Sequence, residues 1–262
     1  MEEGGQRERL FSRRGCAREV LGDDRSVTCI MSDNKSVMVR KSLPTQPFPM
    51  VPDDLDAISR YYQLEDKGDD RMIGYRARVI EVKPKDNFRY GYRFWIEQDS
   101  RMLLRSELTG EDGKAIEQVM FTTLDIGTEI PAGELRPALT GEGYTWSRQP
   151  EISKAQDPAA GTPGWKVTQL PSGFKLTDFR HRRMHEQSVD GEHIVFSDGM
   201  ATVSVYVEQA MPGTNGFTGL SSMGAMNAYG ALVDGHQVTV VGEVPPATVR
   251  MMATSVERKP VS

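Results

Sequence analysis

The stretch from Phe88 to Glu97 constrains the fold more than any other part of this sequence, because its residue types alternate with a period of two. The first set, which we place on one strand face, is Phe88, Tyr90, Tyr92, Phe94 and Ile96. The second set, which we place on the opposite face, is Arg89, Gly91, Arg93, Trp95 and Glu97. This alternation is typical of a β-strand. A chain built around it must supply neighbouring strands.

Strand-like runs separated by turn signals follow one another at roughly ten-residue intervals. They cover residues 7–13, 16–21, 26–31 and 37–41, then 71–82, 103–108 and 115–124 on either side of the aromatic strand. Hairpin turns between them indicate an antiparallel sheet that is strongly curved or wrapped. A Pro-rich loop at 43–49 and a short helix, capped by Asp53 or Asp54 and reaching Tyr62, complete the pattern.

The composition changes after residue 127, where Gly, Pro, Ala and polar residues replace the strand pattern as far as residue 164. Strand-like runs then return at 174–180, 192–196, 201–207 and 237–241, and a helix over 247–256 follows Pro245-Pro246. The length of 262 residues favours two domains. We therefore predict an α+β, mainly antiparallel β fold: a domain over 1–127, a linker over 128–164 and a smaller α+β domain over 165–262.

Charge and hydropathy argue against a nucleic-acid-binding protein and against a membrane-spanning helix. The formal net charge of −5 supplies no basic field for nucleic acid. No apolar run approaches the ~18 residues that a membrane-spanning helix needs. The first residues contain no basic segment followed by an apolar core, so we expect no signal peptide in this chain.

The two cysteines, Cys16 and Cys29, flank a turn signal at residues 22–24. A turn centred between Gly22 and Asp23 would place them directly opposite each other, where a cross-strand disulfide is conceivable in an oxidising compartment. A turn displaced by one residue would separate them. Both alternatives stay open.

A search for catalytic patterns assigns no catalytic residue, metal or cofactor. His181 and His185 have the i, i+4 spacing of a zinc helix, but that motif needs Glu directly after the first His, where Arg182 stands. The loop at 213–216 lacks the lysine of a phosphate-binding loop. An enzyme is therefore the weakest hypothesis.

Two features suit binding better. The aromatic strand face, with apolar residues on neighbouring strands, either forms an ordinary core or lines an apolar cavity that could hold a lipid chain. The predicted lining residues are Tyr75, Val79, Tyr90, Tyr92, Phe94, Leu104 and Phe121.

The second binding feature is a basic run at 180–183 that follows Lys175. It is either a solvated face or a site for an acidic peptide or an anionic headgroup. On the second interpretation, the predicted partner-binding residues are Arg180, Arg182 and Arg183.

Several short motifs, none of them catalytic, occur in order along nearly the whole chain. Through these motifs the sequence resembles the RseB/MucB family, the periplasmic regulators of envelope-stress sigma factors. The motifs are Arg18–Val20, Arg89–Trp95, Leu104–Leu108, Glu117–Thr122, Leu170–Phe174, Ser197–Ala201, Ser204–Glu208 and Val240–Pro245. Several short motifs in a fixed order are more specific than any one of them.

The resemblance implies a lipoprotein-carrier-like N-terminal domain, in which a curved sheet wraps around helices, and a smaller C-terminal domain. It implies a periplasmic protein that binds the periplasmic part of a membrane-bound anti-sigma factor, shields it from proteolysis and is released by lipid or lipopolysaccharide fragments. Family members begin with a signal peptide, a helix and strands that this sequence lacks, so we expect an N-terminally truncated chain. A homodimer is left open.

Two function hypotheses follow. The first is a negative regulator that occupies an anti-sigma factor, and the second is a periplasmic lipid or lipoprotein carrier. A simple carrier has no need of the module over 165–257, so the presence of that module favours the regulator.

Overall fold

A computed structural model describes residues 7–12, 15–41, 55–148, 162–184, 189–210 and 216–260. The chain divides into two compact units. The first comprises Met1–Pro47 and Asp125–Asp157, and the second comprises Phe48–Leu124 and Pro158–Ser262. The predicted domain limits divide the chain differently and stay a prediction.

The first unit contains a five-stranded sheet in the order β1-β2-β3-β4-β10. Its strands are β1 (Arg7–Phe11), β2 (Arg18–Asp23), β3 (Ser26–Met31), β4 (Ser36–Lys41) and β10 (Thr145–Arg148). The first four are antiparallel, as hairpin turns require, whereas β10 lies parallel to β4. The buried apolar side chains of β3 and β4 are Val27, Ile30 and Val37.

Part of the predicted linker packs against this sheet. The Glu19 carboxylate, 1% exposed, accepts hydrogen bonds from the backbone N–H groups of Ala138 and Leu139, both at 3.0 Å. Burial opposes the charge, but these bonds and the Arg9 guanidinium hold the pKa of Glu19 below its ordinary value. Residues 138–148 are therefore held at the first sheet by an ionised, hydrogen-bonded side chain and by β10.

The turn between β2 and β3 decides the relative position of the two cysteines. Arg18 pairs with Met31 and Val20 pairs with Cys29, so the turn centres between Asp24 and Arg25. This centre lies two residues beyond the one that would align Cys16 with Cys29. The two cysteines are therefore not opposite each other, and both thiols are free, Cys16 exposed and Cys29 half-buried.

The second unit opens with a short helix, α1 (Leu55–Ser59), and an antiparallel sheet in the order β5-β6-β7-β8-β9, here called the aromatic sheet. Its strands are β5 (Tyr62–Met72), β6 (Tyr75–Pro84), β7 (Gly91–Glu97), β8 (Leu103–Thr109) and β9 (Ala115–Met120). The predicted helix is too long, because Tyr62 already begins β5.

Sequence reasoning missed most of β5, and its composition explains why. Asp, Glu, Lys and Gly dominate the strand, and these types are depleted in strands. A register shift between Asp66 and Gly68 also interrupts its alternation, with Gly68 at φ +89°. Pairing with β6 along ten residue pairs stabilises the strand despite its low intrinsic propensity.

The predicted aromatic strand is correct in its alternation and wrong in its extent. The structure begins β7 at Gly91, and both faces of the strand are largely buried. Tyr92 and Phe94 pack on one side with Ile58 and Tyr62, whereas Trp95 packs on the other side. Each large apolar side chain buried in this way contributes about 1.5–3 kcal/mol.

The C-terminal part of the second unit is a six-stranded antiparallel sheet in the order β12-β13-β14-β17-β16-β15, here called the C-terminal sheet. Its strands are β12 (Lys175–Met184), β13 (Val189–Ser197), β14 (Thr202–Gln209), β15 (Gly219–Met223), β16 (Met226–Val233) and β17 (His236–Gly242). A helix, α2 (Pro246–Thr254), contacts β15, β16 and β17, and β11 (Trp165–Val167) pairs with β18 (Val256–Arg258). The predicted terminal helix with Pro at its start is present, but it ends at Thr254, because Val256 already begins β18.

The prediction of a mainly antiparallel β fold with few helices is confirmed. Some predicted features lie outside the described residues: the Pro-rich loop, the Asp53 or Asp54 cap, His185 and most of the loop at 213–216. In the described part of the chain, no helix is long and apolar enough to cross a membrane.

Candidate functional site

The segment between β6 and β7 connects the aromatic sheet to the C-terminal sheet. The Phe88 carbonyl accepts a hydrogen bond of 2.6 Å from the Thr248 hydroxyl of α2. The Tyr90 hydroxyl accepts one of 3.0 Å from the Asn227 amide of β16. The Phe88 carbonyl is therefore used in a tertiary contact and not in strand pairing, and β7 begins only at Gly91.

Arg89 lies at the centre of this connection and is only 1% exposed. Its Nη1 donates to Asp198 Oδ2 at 2.6 Å, its Nη2 to the Ser172 carbonyl at 2.6 Å and its Nε to Asp86 Oδ1 at 3.0 Å. The guanidinium also lies about 5 Å from three aromatic ring centroids, those of Tyr61, Tyr62 and Phe174. A buried charge is tolerated when it is paired and hydrogen-bonded in this way.

Asp198, in the turn between β13 and β14, has a fully buried side chain and is the counter-charge of Arg89. Its Oδ2 also accepts a hydrogen bond of 2.9 Å from the Tyr62 hydroxyl. Burial, followed by the Asp198 carboxylate, raises the pKa of Tyr62 far above its ordinary value, so this hydroxyl stays a donor. Each oxygen and nitrogen of the ion pair that faces the interior therefore has a partner.

Gly173 makes the approach of Ser172 to Arg89 possible. Its backbone angle φ is +92°, which residues other than glycine rarely adopt. A Cβ at this position would lie 2.5 Å from the Tyr61 ring. The backbone can therefore turn the Ser172 carbonyl toward the guanidinium only with glycine next to it.

A groove opens beside this ion pair, with a cavity volume of about 320 Å³. Its larger apolar lining residues are Tyr92, Met200, Met226 and Val241, and Ser204 and Glu243 add polar groups. The volume is at the small end of the range for ligand pockets, about 300–1,000 Å³. Methionine side chains adapt to differently shaped apolar partners. The groove therefore suits an apolar side chain or a short segment.

The groove carries negative charge at its side. Partial burial, and then the carboxylate of Glu117 on β9, raise the pKa of Glu243 above its ordinary value. A cationic group bound there would relieve this repulsion between carboxylates.

A second cavity of about 440 Å³ lies beside β5, β6 and β7. Two of its charged lining residues, Arg78 and Asp69, pair with each other, and Arg78 also contacts Asp66 outside the lining. Its apolar lining residues are two isoleucines, Ile80 and Ile96, and none of its described lining residues is a methionine.

The structure divides the seven residues predicted to line a lipid cavity between opposite faces of the aromatic sheet. Tyr90, Tyr92 and Phe94 belong to the cluster around Ile58 and Tyr62. The other face carries the cluster with Tyr75, Val79 and Leu104, and Phe121 follows β9 and is half-buried. The seven residues therefore do not share one face, because the strand alternation sends neighbouring positions to opposite sides of the sheet; that they line a lipid cavity stays a prediction.

The three predicted partner-binding arginines lie on β12, an edge strand of the C-terminal sheet. Arg180 is exposed and pairs with Asp178 at 2.9 Å. Arg182 and Arg183 oppose Gly191 and Asp190 in the backbone register. The edge position leaves one side of β12 without a neighbouring strand in the described part of this sheet.

Family models match both halves of the chain: the MucB/RseB N-terminal domain at residues 1–139 and the MucB/RseB C-terminal domain at residues 159–257. The chain belongs to the MucB/RseB family. Sigma factor AlgU regulatory protein MucB of Pseudomonas aeruginosa is 28% identical over 258 residues, which cover 97% of this chain and 78% of that protein. Sigma-E factor regulatory protein RseB of Haemophilus influenzae is 24% identical over 245 residues, 93% of this chain and 75% of that protein.

The chain is also similar to a solved MucB structure. MucB in complex with MucA(peri) matches with a TM-score of 0.73 and 26% identity, over 100% of this chain and 86% of that one. The likeness therefore extends over the fold as well as over the sequence.

Three of the motifs that carried the family resemblance meet at the ion pair. Arg89 begins the aromatic motif, Ser172 lies in Leu170–Phe174 and Asp198 lies in Ser197–Ala201. Sequence reasoning missed this site because it placed Arg89 on a strand face and gave Asp198 no role. The order of the motifs was the only available signal, and it does not show which residues are in contact.

Proposed function

We propose that this chain is a negative regulator of an envelope-stress sigma-factor pathway, which binds the periplasmic part of a membrane-bound anti-sigma factor and protects it from proteolysis. The observation that carries the proposal is the match, over the whole chain, to MucB solved in complex with MucA(peri). Relatives named as sigma factor regulatory proteins support it. On this proposal the protein acts in the periplasm by binding and not by catalysis.

The groove beside Arg89 is the docking site that we propose for this partner. Its lining methionines, Met200 and Met226, supply adaptable apolar contact area. The acidic groups Glu243 and Glu117 favour a cationic neighbour for whatever enters. The occupant is therefore an apolar side chain or short segment of the partner with a lysine or arginine close by.

The basic run on β12 is a second proposed contact region, with Arg180, Arg182 and Arg183 facing acidic groups of the partner or an anionic headgroup. Arg180 is exposed, and surface charges at an interface act mainly on association rate and specificity. The groove and the basic run have opposite charge, so a partner that reaches both needs basic and acidic segments in a fixed order.

Release by lipid or lipopolysaccharide fragments is also part of the proposal, and it is supported by the family resemblance. The alternative, a lipid carrier, is less favoured, because its predicted lining residues lie on two faces of the aromatic sheet. Loss of partner binding on addition of lipopolysaccharide would support release.

The test is a calorimetric titration of the purified chain with the periplasmic segment of the anti-sigma factor from the same genome. We expect a saturable complex, protection of the segment from the site-1 protease, and loss of the complex with lipopolysaccharide. A well-folded sample that neither binds nor protects the segment would contradict the proposal. Light scattering on the same sample measures whether the chain forms a homodimer.

Two sets of variants locate the binding surfaces. Met226→Lys and Met226→Glu place opposite charges at the same groove position, and we expect the lysine variant to bind more weakly because it repels a basic partner. Equal affinities would remove the groove from the proposal. Reversing Arg180, Arg182 and Arg183 to Glu tests the basic run, and unchanged affinity with an intact fold would discard it.

A further inference from the structure

Asp198 connects the buried ion pair to the groove because its two carboxylate oxygens bond in different directions. Oδ2 accepts from Arg89 at 2.6 Å and from Tyr62 at 2.9 Å. Oδ1 accepts from the backbone N–H groups of Met200 at 2.9 Å and Ala201 at 2.8 Å. Both of these residues line the groove. The carboxylate that binds the aromatic sheet therefore also fixes the turn that forms part of the groove wall.

We infer that Arg89 is a positioning residue for partner binding: through Asp198 it sets the conformation of the turn that carries Met200 and Ala201. The inference rests on the proposed function, since it states which residue controls the shape of the groove in which the partner is proposed to bind. Arg89 itself is almost completely buried and does not line the groove. Its effect on binding must therefore pass through the turn.

The physical reason is the cost of an unpaired buried charge. Without the guanidinium, the Asp198 side chain, which is fully buried, loses its counter-charge. It must then take up a proton or rotate toward water, and either change weakens the two bonds that Oδ1 accepts from the turn. Tyr62 alone cannot replace the arginine, because a neutral hydroxyl supplies one hydrogen bond and no charge.

A purely structural role makes a different prediction, namely that any comparable loss of stability weakens binding. Two control variants separate these cases. Arg93→Met removes another arginine of the aromatic sheet, one that pairs with Glu81 and Glu107. Leu104→Ala removes a fully buried side chain from the cluster on the opposite face of that sheet, with a large expected loss of stability.

The first readout is affinity for the periplasmic segment of the anti-sigma factor, measured by calorimetry at a temperature where each variant retains its far-UV circular dichroism. We expect Arg89→Met to weaken binding by at least about tenfold, a typical coupling between sites, and both controls to change it by about threefold or less. Arg89→Lys, which keeps the charge but loses the fork of donors, should fall in between. Equal weakening in Arg89→Met and Leu104→Ala would overturn the inference.

The second readout needs no partner: it is the methyl spectrum of protein labelled at its methionines, 14 in the wild type and one more in Arg89→Met and in Arg93→Met. The signals of Met200 and Met226 are identified from Met200→Leu and Met226→Leu. Arg89→Met should shift the Met200 signal, whereas the controls should leave it in place. An unshifted Met200 signal in Arg89→Met would contradict the inference.

If Arg89→Met does not fold, Tyr62→Phe replaces it, because this variant removes only the hydroxyl that donates to Asp198 Oδ2. It should shift the Met200 signal slightly and weaken binding of the segment slightly. No change in either readout would overturn the inference. If the folded wild-type chain does not bind the segment, the proposed function fails. The methyl spectra then still decide whether Arg89 controls the turn.

Discussion

Two ionic clusters of the second unit hold charge in opposite ways. The first is the buried pair Arg89–Asp198, in which both side chains are 0% exposed. The second is a charged row across the aromatic sheet, in which Glu65, Glu81, Arg93 and Glu107 follow one another in register on β5 to β8. Lys67 and Lys83, 43% and 46% exposed, flank the row.

The difference lies in what replaces a lost partner. In the charged row, Glu81 contacts Arg93, Lys67 and Lys83, so the loss of one cation leaves two others and nearby solvent. In the buried pair, Asp198 has one cation and no exposed surface. Loss of a partner should therefore be severe at the buried pair and mild at the row. A charged side chain between two elements fixes their positions most strongly where water cannot substitute for it.

The largest expected effect is on stability at the buried pair. Arg89→Met should lower the free energy of unfolding by about 3–5 kcal/mol, because it leaves Asp198 buried without a counter-charge. Arg93→Met should cost about 1 kcal/mol or less, since its site is partly solvated. Urea unfolding followed by tryptophan fluorescence measures both. Similar losses in the two variants would show that burial does not distinguish the clusters.

The charged row should make the stability of the fold depend on pH. Burial opposes the charge of Glu81, but hydrogen bonds from Arg93, Lys67 and Lys83 lower its pKa to about 2 from an ordinary value of 4.5. A lowered pKa stabilises the fold fully above pH 4.5, and this contribution is lost as the pH falls toward 2. The difference between these two pKa values corresponds to a contribution on the order of 3 kcal/mol.

Urea midpoints at pH 6 and pH 3 measure this contribution. Glu81→Gln should lose stability at pH 6 and show a smaller change between the two pH values than the wild type. An unchanged pH dependence in that variant would assign the acid sensitivity to other carboxylates, for instance Glu19 with its own lowered pKa.

The sequence predicted the aromatic sheet largely from β7 and its neighbours, because side-chain alternation is a local signal. It did not predict β5, whose charges are stabilised across strands by the charged row, or β15 and β16, whose Gly, Ser and Ala residues give little strand signal. It extended β7 to Phe88, since nothing local shows that the Phe88 carbonyl bonds to a helix 160 residues away.

The candidate site was less accessible to sequence reasoning than the fold. Arg89 and Asp198 are 109 residues apart, and neither has a neighbour in sequence that marks it as half of a pair. The basic run was visible because its charges are consecutive. Residues that act through long-range contacts need the three-dimensional structure, whereas charge runs and alternation do not.

A smaller difference in stability should distinguish two hydrogen bonds made by α2. One is the buried bond that connects α2 to the segment between β6 and β7, and the other is exposed and lies within α2. Thr248→Val keeps the shape of a fully buried side chain but leaves the Phe88 carbonyl without its donor, at a cost of about 1–2 kcal/mol. Thr254→Val, the matched control, removes an exposed bond to Arg250 within α2 and should cost less than about 0.5 kcal/mol. Thermal unfolding compares the two, and equal costs would mean that the connection contributes little.

The smallest effect is expected at the solvated end of the charged row. Lys67 lies 3.4 Å from Glu65 and 3.3 Å from Glu81, but Lys83 contacts the same two carboxylates at 2.8 Å and 3.3 Å. Lys67→Met should therefore change the free energy of unfolding by less than about 0.5 kcal/mol. Salt separates the two kinds of ion pair further. About 1 M salt screens exposed pairs strongly, whereas it screens buried pairs much less. The small loss in Lys67→Met should disappear at that concentration, while the loss in Arg89→Met should persist; a loss in Arg89→Met that salt abolishes would mean that water reaches the buried pair after all.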